Sequence, residues 1–533
     1  VQTRRAAAPP PSGANPGANP CAQAFLEVSS RVAGKLAMAG AGWAMSYQHL
    51  AEHVHVLAGW LTRHGVGPGA RVVLLLPHDR ESVLTILAAA MTGASVVPMH
   101  QDSSAALVDH VVRDCLATHV VTGEAAPTPD WWRWRPKITA VHPVAGTGAD
   151  DIAYIMYTSG TSGSPKGVAV ASHTLHAHIA RLTAFLGLTG DDVGLQFIAH
   201  HFDPSQQEIW TILLAGGTLV LRGAEPWTAA QFWRTLSAHG ISVVTLPTAY
   251  WNIIATTVPA ADAFPRRLRL LMIGGEALHT GTLPAWHSAA PDGVRLVNLY
   301  GPTEGVICCT AHVITGGALG GAGGGAPGDG GGGAARGALQ DARTVPIGRA
   351  LPGHRTELIG PDGERITGTG AEGELWISGL LADGYVSDPQ NARFVRRGVH
   401  RWYRTGDRVR HLGGGCYEFV GRLDDEVKVR GHRISLTSLE QFAYQVGGVG
   451  QAAAVAVDDG LAGLTLRLYL EAAAGTPLPH DELRATVFEH VNAMVSPHVR
   501  PVACTVLRHL PMSPGGKVDR RKLAQSSRDH RPV

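Results

Sequence analysis

Between Tyr157 and Gly167 the chain reads Tyr-Thr-Ser-Gly-Thr-Ser-Gly-Ser-Pro-Lys-Gly, with two threonines, three serines and three glycines in the last ten positions. An apolar run, Ile152 to Met156, leads into it and reads as a buried strand. A strand that empties into so many small hydroxylated residues opens into a mobile loop of the kind that wraps phosphates. Glycine lets the backbone approach closely, hydroxyls and free N–H groups donate hydrogen bonds, and Lys166 supplies charge. The G-x-x-x-x-G-K-[ST] spacing of a Walker loop is absent.

The surrounding pattern is that of an α/β protein. An amphipathic stretch from His49 to Arg63 predicts a helix, followed by a strand over Arg71–Leu76, a helix over Ser82–Met91 and a strand over Ser95–Pro98. The alternation returns at Ile209–Leu214, Thr218–Leu221 and Ile241–Leu246, which implies mostly parallel strands. Shorter strand-like runs, Glu374–Ser378 and Tyr417–Val420, predict a β-rich subdomain over 345–422, and a small α+β unit follows it. With 533 residues the chain is too long for one core. Residues 1–20, rich in Pro, Ala and Gly, and the Gly/Ala insertion at 316–337 carry too few large side chains to offset ordering entropy, so both are expected to be disordered.

Composition closes off several classes. A net charge of +2 gives no footprint for nucleic acid. No apolar run reaches membrane-spanning length, and the first residues lack a signal-peptide core. Six cysteines without C-x-x-C spacing favour reduced thiols and a cytoplasmic setting over disulfides or a zinc site. The 27 histidines read as mostly solvated residues or as compositional bias alongside the abundant Ala and Gly.

Four further segments extend the pattern: Asn298-Leu-Tyr-Gly-Pro-Thr-Glu304, Tyr403-Arg-Thr-Gly-Asp407, Gly421-Arg-Leu-Asp424 and Leu510-Pro-Met-Ser-Pro-Gly-Gly-Lys-Val-Asp-Arg520. Together with the 157–167 loop they resemble, in order, the motifs of the adenylate-forming superfamily, and most of all the amino-acid adenylation domains of nonribosomal peptide synthetases. The resemblance runs from about residue 45 to residue 523. It implies a large ATP- and amino-acid-binding domain at 21–423, built of two α/β subdomains and a small β-barrel, and a small mobile α+β domain at 424–533 hinged at Asp424. It also implies ATP and Mg²⁺. Thr158, Ser159, Gly160, Thr161 and Lys166 would cradle phosphate, Asn298 and Tyr300 would hold adenine, and Gly301 and Thr303 would flank the α-phosphate. Glu304 would hold the metal, Asp407 the ribose hydroxyls, and Arg422 would face the nucleotide. Lys517 would bridge substrate carboxylate and α-phosphate, making Lys517, Lys166 and Thr158 the catalytic set.

Phe202-Asp203-Pro204-Ser205 decides the branch. It resembles the segment whose Asp binds a substrate ammonium, and a buried carboxylate left unpaired rejects acids that lack the amine. The competing reading is a helix-capping Asp followed by Pro at the first helical position. By the same matching, Pro204, Gln207, Thr245, Met272, Gly274, Leu299, Ile307 and Cys308 would line the side-chain pocket, with Lys517 at the carboxylate. Those groups are neutral, which points to a neutral side chain, with Gly274 leaving depth. Pro204 after the Asp could shift the amine, as a β- or D-amino acid requires.

Two segments depart from the family pattern. Val97-Pro98-Met99-His100 lacks the usual Pro-Leu-Asp ending, and Ser435-Leu-Thr-Ser-Leu-Glu440 has Ser435, Thr437 and Ser438 where Glu, Gly and Glu are usual. The second belongs to the step that transfers the acyl group to a thiol. The chain ends 16 residues past Lys517 with no Gly-Gly-x-Ser carrier signature, which is read as a freestanding enzyme or a cut piece. Such an enzyme loads a separate carrier protein in trans, with a small helper protein as an option, and contacts neither nucleic acid nor membrane. The alternatives are an acyl- or aryl-CoA ligase of the same fold and a non-catalytic nucleotide-binding module.

Overall fold

The computed structural model describes residues 19–123, 134–142, 151–159, 165–278, 280, 283–314, 344–388, 391–423, 426–459, 463–473, 479–511 and 518–529. Two large sheets dominate. The nine-stranded one runs Arg349–Ala350, Thr310–Ile314, Arg295–Tyr300, Leu270–Gly274, Val243–Pro247, Val193–Gln196, Thr218–Leu221, Leu36–Gly40, Trp43–Ser46. Its middle is parallel, with Pro247 opposite Gly274 and Gly274 opposite Leu299. The seven-stranded sheet runs Gly384–Tyr385, Pro165–Ala171, Ile152–Ser159, Ser95–Pro98, Arg71–Leu75, His119–Thr122, Lys137–Ala140. One apolar cluster joins the two sheets through Val72, Val96 and Tyr154 on one side and Leu219, Leu270 and Val297 on the other.

Helices fill that cluster, and their ends follow local chemistry. The first predicted helix starts earlier, at Tyr47, because the Ser46 hydroxyl accepts from the His49 N–H at 3.3 Å. The second runs Arg80–Thr92, entered from Asp79 and closed by Gly93 in the left-handed region at φ 75°. The helix Pro204–Ala215 begins with proline, where no N–H is needed, and stops at Gly216. It is buried along most of its length, so its first turn is held rigidly against the sheets.

The Thr/Ser/Gly stretch differs from the expected open loop. Thr158 pairs with Lys166 and Ser159 with Pro165 as the ends of a β-hairpin. Its tip, including Gly160 and Thr161, lies outside the described residues. The β-rich subdomain is a six-stranded antiparallel sheet ordered Arg365–Ile366, His354–Ile359, Glu372–Gly379, His400–Gly413, Phe394–Arg397, with Cys416–Arg422 also on His400–Gly413. Among the described residues no ladder joins its two ends into a barrel.

Apolar packing parts between Phe419 and Val427: every cluster lies wholly to one side. Beyond it come the hairpin Glu426–Val429/His432–Ser435 and a three-stranded sheet, Val449–Asp458, Leu464–Ala472, Ala503–Leu507, covered by helices Leu436–Tyr444 and His480–Met494. Residues 1–18 and the glycine-rich insertion, together with Asp424 and Lys517, lie outside the described residues. Asn19 and Pro20, assigned to the tail from sequence, instead open the helix Pro20–Arg31, where the Asn19 side chain accepts from the Cys21 N–H at 2.8 Å.

Candidate active site

A cavity of about 240 Å³ opens where strands of both sheets end. Thr245 to Pro247, Gly274 and Leu299 come from the nine-stranded sheet, and Pro98 to His100 and Met156 to Thr158 from the other. Crevices at the carboxyl ends of parallel strands expose unpaired backbone groups and loops, which makes them the usual ligand sites of α/β sheets.

On one side the polar groups already hold one another. Asp407 sits in the long strand His400–Gly413, 2% exposed, and faces Arg422 across the ladder. Arg422 donates through Nη1 to Asp407 Oδ1 at 2.6 Å and to the Thr405 carbonyl at 2.8 Å, while the Tyr300 hydroxyl donates to Asp407 Oδ2. A carboxylate has about four lone-pair sites, so both oxygens retain room for ribose hydroxyls. Glu304 is fully buried in a short turn and accepts from the Tyr385 hydroxyl. The turn is tight: Val306 and Ile307 take φ of 58° and 68°, rare for side chains branched at Cβ, and a Cβ on Gly301 would lie 2.6 Å from the Cys308 Cα. Gly301, Thr303, Glu304, Asp407 and Arg422 all line the cavity. Asn298 and Tyr300 do not; Asn298 donates to the Pro346 carbonyl at 2.9 Å. Lys166 also stands away from it, 3.7 Å from Asp388 and 5.4 Å from the Tyr385 ring centroid.

On the other side the polar groups are left open. Asp203 occupies the N-cap position of Pro204–Ala215 yet makes no capping hydrogen bond, so the capping explanation of this residue fails. It is buried and lines the cavity, and its Oδ2 has no partner among the described residues. Burial above all, then the nearby Glu304, pushes its carboxyl up to about 7 against the pull of the Ile307 N–H and the Thr303 hydroxyl. The Thr158 and Tyr154 hydroxyls are likewise buried without a partner among the described residues.

The pocket beside Asp203 is neutral. Pro204, Gln207, Thr245, Gly274, Leu299, Ile307 and Cys308 line the cavity, whereas Met272 stands behind Gln207 and accepts from its Nε2 at 3.7 Å. The Cys308 thiol donates to Gln207 Oε1 at 3.7 Å and lies 3.8 Å from His178 Nε2. Burial holds the thiol well above its ordinary value and brings His178 down to about 3, so both are uncharged. Gly274 does more than leave depth: an added Cβ would stand 2.7 Å from the Leu299 carbonyl oxygen, so the two strands approach only because it is glycine.

The family model for AMP-binding enzymes matches residues 25–386. The chain belongs to the AMP-binding enzyme family. Among curated relatives of this AMP-binding enzyme, novobiocin biosynthesis protein H of Streptomyces niveus is 32% identical over 92% of this chain and 80% of its own length. The isonitrile lipopeptide synthase of Streptomyces coeruleorubidus is 31% identical over 99% of this chain, which spans 35% of that longer protein. Among solved structures, PA1221, a nonribosomal peptide synthetase protein containing adenylation and carrier (PCP) domains, superposes with a TM-score of 0.78 at 26% identity, covering 97% of this chain and 98% of PA1221. The enzyme is thus an adenylate-forming ligase of the nonribosomal peptide synthetase type.

Part of this AMP-binding enzyme's site went unread in the sequence because it is brought in from the far end of the chain, beyond Glu426. The Lys428–His432 turn closes the cavity, with the Lys428 ammonium 5.7 Å from the Tyr300 ring centroid and the Gly431 N–H donating to Glu276 Oε1 at 2.5 Å. Glu276 is a docking carboxylate the sequence marked only as the end of a Gly-Gly-Glu turn after a buried strand. The Ser104 hydroxyl adds a second tie, to the Ala493 carbonyl at 2.5 Å. A minority of the histidines are withdrawn from solvent. His78, His178, His200, His201 and His432 are packed inside, and burial drives each one's pKa down, so they are neutral interior groups. Departures in the family pattern have structural uses: Ser435 caps the helix Leu436–Tyr444 by accepting from the Ser438 N–H at 3.4 Å, and His100 joins the cavity wall.

Proposed function

We propose that this enzyme activates an amino acid with a neutral side chain as its aminoacyl-AMP, releasing pyrophosphate, and then passes the acyl group to the phosphopantetheine thiol of a carrier protein in trans. The observation that carries the reading is Asp203: a buried carboxylate facing the cavity, spared from capping its own helix, with one oxygen unpartnered among the described residues. A substrate ammonium supplies the missing cation, and a deaminated acid leaves the charge unpaired. The neutral wall of Gln207, Cys308 and His178 supports an uncharged side chain.

In the reaction a carboxylate oxygen of the amino acid attacks the α-phosphorus of ATP, and pyrophosphate leaves in line. Asp407 accepts from the ribose hydroxyls with Arg422 beside it, and Gly301 and Thr303 flank the α-phosphate; Asn298 and Tyr300, outside the cavity lining here, meet adenine once the Lys428–His432 turn moves off the Tyr300 ring. Thr158, Ser159, Gly160, Thr161 and Lys166 close on the phosphates. Lys517 neutralises charge between carboxylate and phosphate as the bond forms. Glu304, a fully buried carboxylate at the cavity wall, would hold Mg²⁺ through a hard oxygen, and such an ion would supply positive charge against the triphosphate. Because the Lys428–His432 turn fills the mouth of the site, the small domain rotates about Asp424 to bring Lys517 in for adenylation and returns for transfer to the thiol. A cytoplasmic enzyme with a carrier partner, and optionally a small helper protein, fits this chemistry. No helix among the described residues is long and apolar enough to cross a membrane.

ATP–pyrophosphate exchange across L-, D- and β-amino acids and their deaminated analogues tests the reading. Exchange with one amine-bearing acid, lost in Asp203→Ala, supports it. Exchange driven by a deaminated acid sinks it and moves the chain to the acyl or aryl ligases; no exchange with any acid, together with an inert Lys517→Ala change, leaves a nucleotide-binding module.

A further inference from the structure

Where the segment beyond Glu426 meets the rest of the chain the structure gathers a group of histidines, two of which, His201 and His432, also line the cavity, and to which the proposed adenylation assigns no role. His201 precedes Phe202 on the large domain; His432 lies in the small domain's hairpin, and His498 in the short turn after the helix His480–Met494. One ring nitrogen from each lies within 4.8 Å of the others. The His201 and His498 rings are 5.4 Å apart, and those of His432 and His498 5.0 Å. The Nε2 atoms of His201 and His498 are both buried without a hydrogen-bond partner among the described residues. A buried ring nitrogen left without a partner costs about 1–3 kcal/mol, so two in contact call for a shared acceptor of their lone pairs or a shared donor.

We propose that His201, His432 and His498 form a binding site for a divalent transition metal of the zinc class, bridging the large and small domains. Three imidazoles are the donor set such ions prefer, and a tetrahedral ion then keeps one position for water or another donor. Ligands around one zinc ion stand about 3.3 Å apart, so the ion draws the rings inward by about an ångström. It also turns them, since they stack at 15° to 28°. His100 borders the group, 5.0 Å from the His498 ring. Its Nδ1 accepts from the Asp102 N–H at 3.1 Å, which puts the proton on Nε2 and makes it a wall rather than a ligand. Arg430 and Arg500 lie near enough to His498 to oppose positive charge there, so a weakly held ion such as Mg²⁺ is disfavoured and one that bonds nitrogen strongly is selected. The consequence is mechanical. One ligand belongs to the large domain and two to the small, so the ion fastens the arrangement in which the Lys428–His432 turn covers the cavity. The inference does not depend on which acid the enzyme activates.

The test uses untagged full-length enzyme stripped with a chelator and titrated with Co²⁺ alone. The expected result is one equivalent bound with the visible bands of a tetrahedral ion, displaced by Zn²⁺. Affinity should fall more than about 100-fold in His201→Gln and in His498→Gln, beyond what loss of an outer hydrogen-bond partner brings. It should be unchanged in His239→Gln, an exposed control. Absence of the band, or a band that survives the double His201→Gln/His498→Gln change, overturns the site. X-ray absorption on the wild-type enzyme with one equivalent of Zn²⁺ is independent of variant folding: three imidazole ligands support the proposal, and fewer than two refute it. Hydrogen exchange of the Lys428–His432 turn reads the bridging role, with Zn²⁺ expected to slow it several-fold in wild type; unchanged exchange overturns it.

Discussion

Two buried carboxylates border the cavity, and they are held in opposite ways. Asp407 is locked into the fold, with Arg422 on one oxygen and Tyr300 on the other. Asp203 has an oxygen with no partner among the described residues and a carboxyl pushed up to about 7. The first is satisfied before any ligand arrives and forms a fixed platform. The second is completed only by a cation from outside, so it selects. Under the proposed function the contrast makes sense: a site for a nucleotide common to every turnover is prebuilt, whereas a site that discriminates among acids keeps an unmet demand.

The largest effect is expected at the platform. Asp407→Ala leaves the Arg422 guanidinium buried without its carboxylate, and breaking such a pair costs about 3–5 kcal/mol. Denaturant unfolding should show that loss, and ATP–pyrophosphate exchange should fall for every acid. Asp203→Asn should behave in the contrary way. Its amino-acid kcat/KM drops about 100-fold, in line with the loss of one partner of a buried charge pair, while unfolding at pH 8 shows equal or greater stability. The sign follows from the raised pKa: folded Asp203 keeps its proton to higher pH than the unfolded chain does, so its contribution is full below the unfolded carboxylate range and is lost as pH rises through about 7. Equal destabilisation of the two variants would erase the contrast.

Gly274→Ala comes next. The new Cβ meets the Leu299 carbonyl oxygen at 2.7 Å, and forcing two strands apart costs about 1–3 kcal/mol. Thermal unfolding and amino-acid KM should both register it, with ATP KM moved less. A pH series sharpens the comparison further. Below about 7 the free enzyme must release the Asp203 proton before it holds an ammonium, so amino-acid affinity should fall about 10-fold between pH 8 and pH 6. The Asn variant should show no such slope. The smallest effect is Ser435→Ala, which removes a helix cap worth about 1 kcal/mol and should lower small-domain stability without changing exchange.

Much of this was legible along the chain because the motifs are local. Strands such as Ser95–Pro98 and Thr218–Leu221 run as expected, and the 298–304 and 403–407 segments carry their chemistry within a few residues. Reading failed where a residue's partner is distant. Met272 matched a pocket position, yet it stands behind Gln207 because the helix Pro204–Ala215 lays that amide over it. Glu276 gained a role only from Gly431, 155 positions away. His201 and His432, 231 positions apart, come together half-buried with their rings stacked, which no local pattern announces.

Residue order alone determined the family, the alternation of helix and strand, and the placing of the Thr/Ser/Gly segment at the end of a buried strand, since each depends on neighbours within one or two turns of chain. Only the tertiary structure decided which carboxylate is paired and which is left open, why position 274 must be glycine, and that histidines from two domains meet at one seam. Hydrogen bonding, desolvation and steric exclusion act through space over a few ångströms, and the residues that meet there are tens to hundreds of positions apart in the chain.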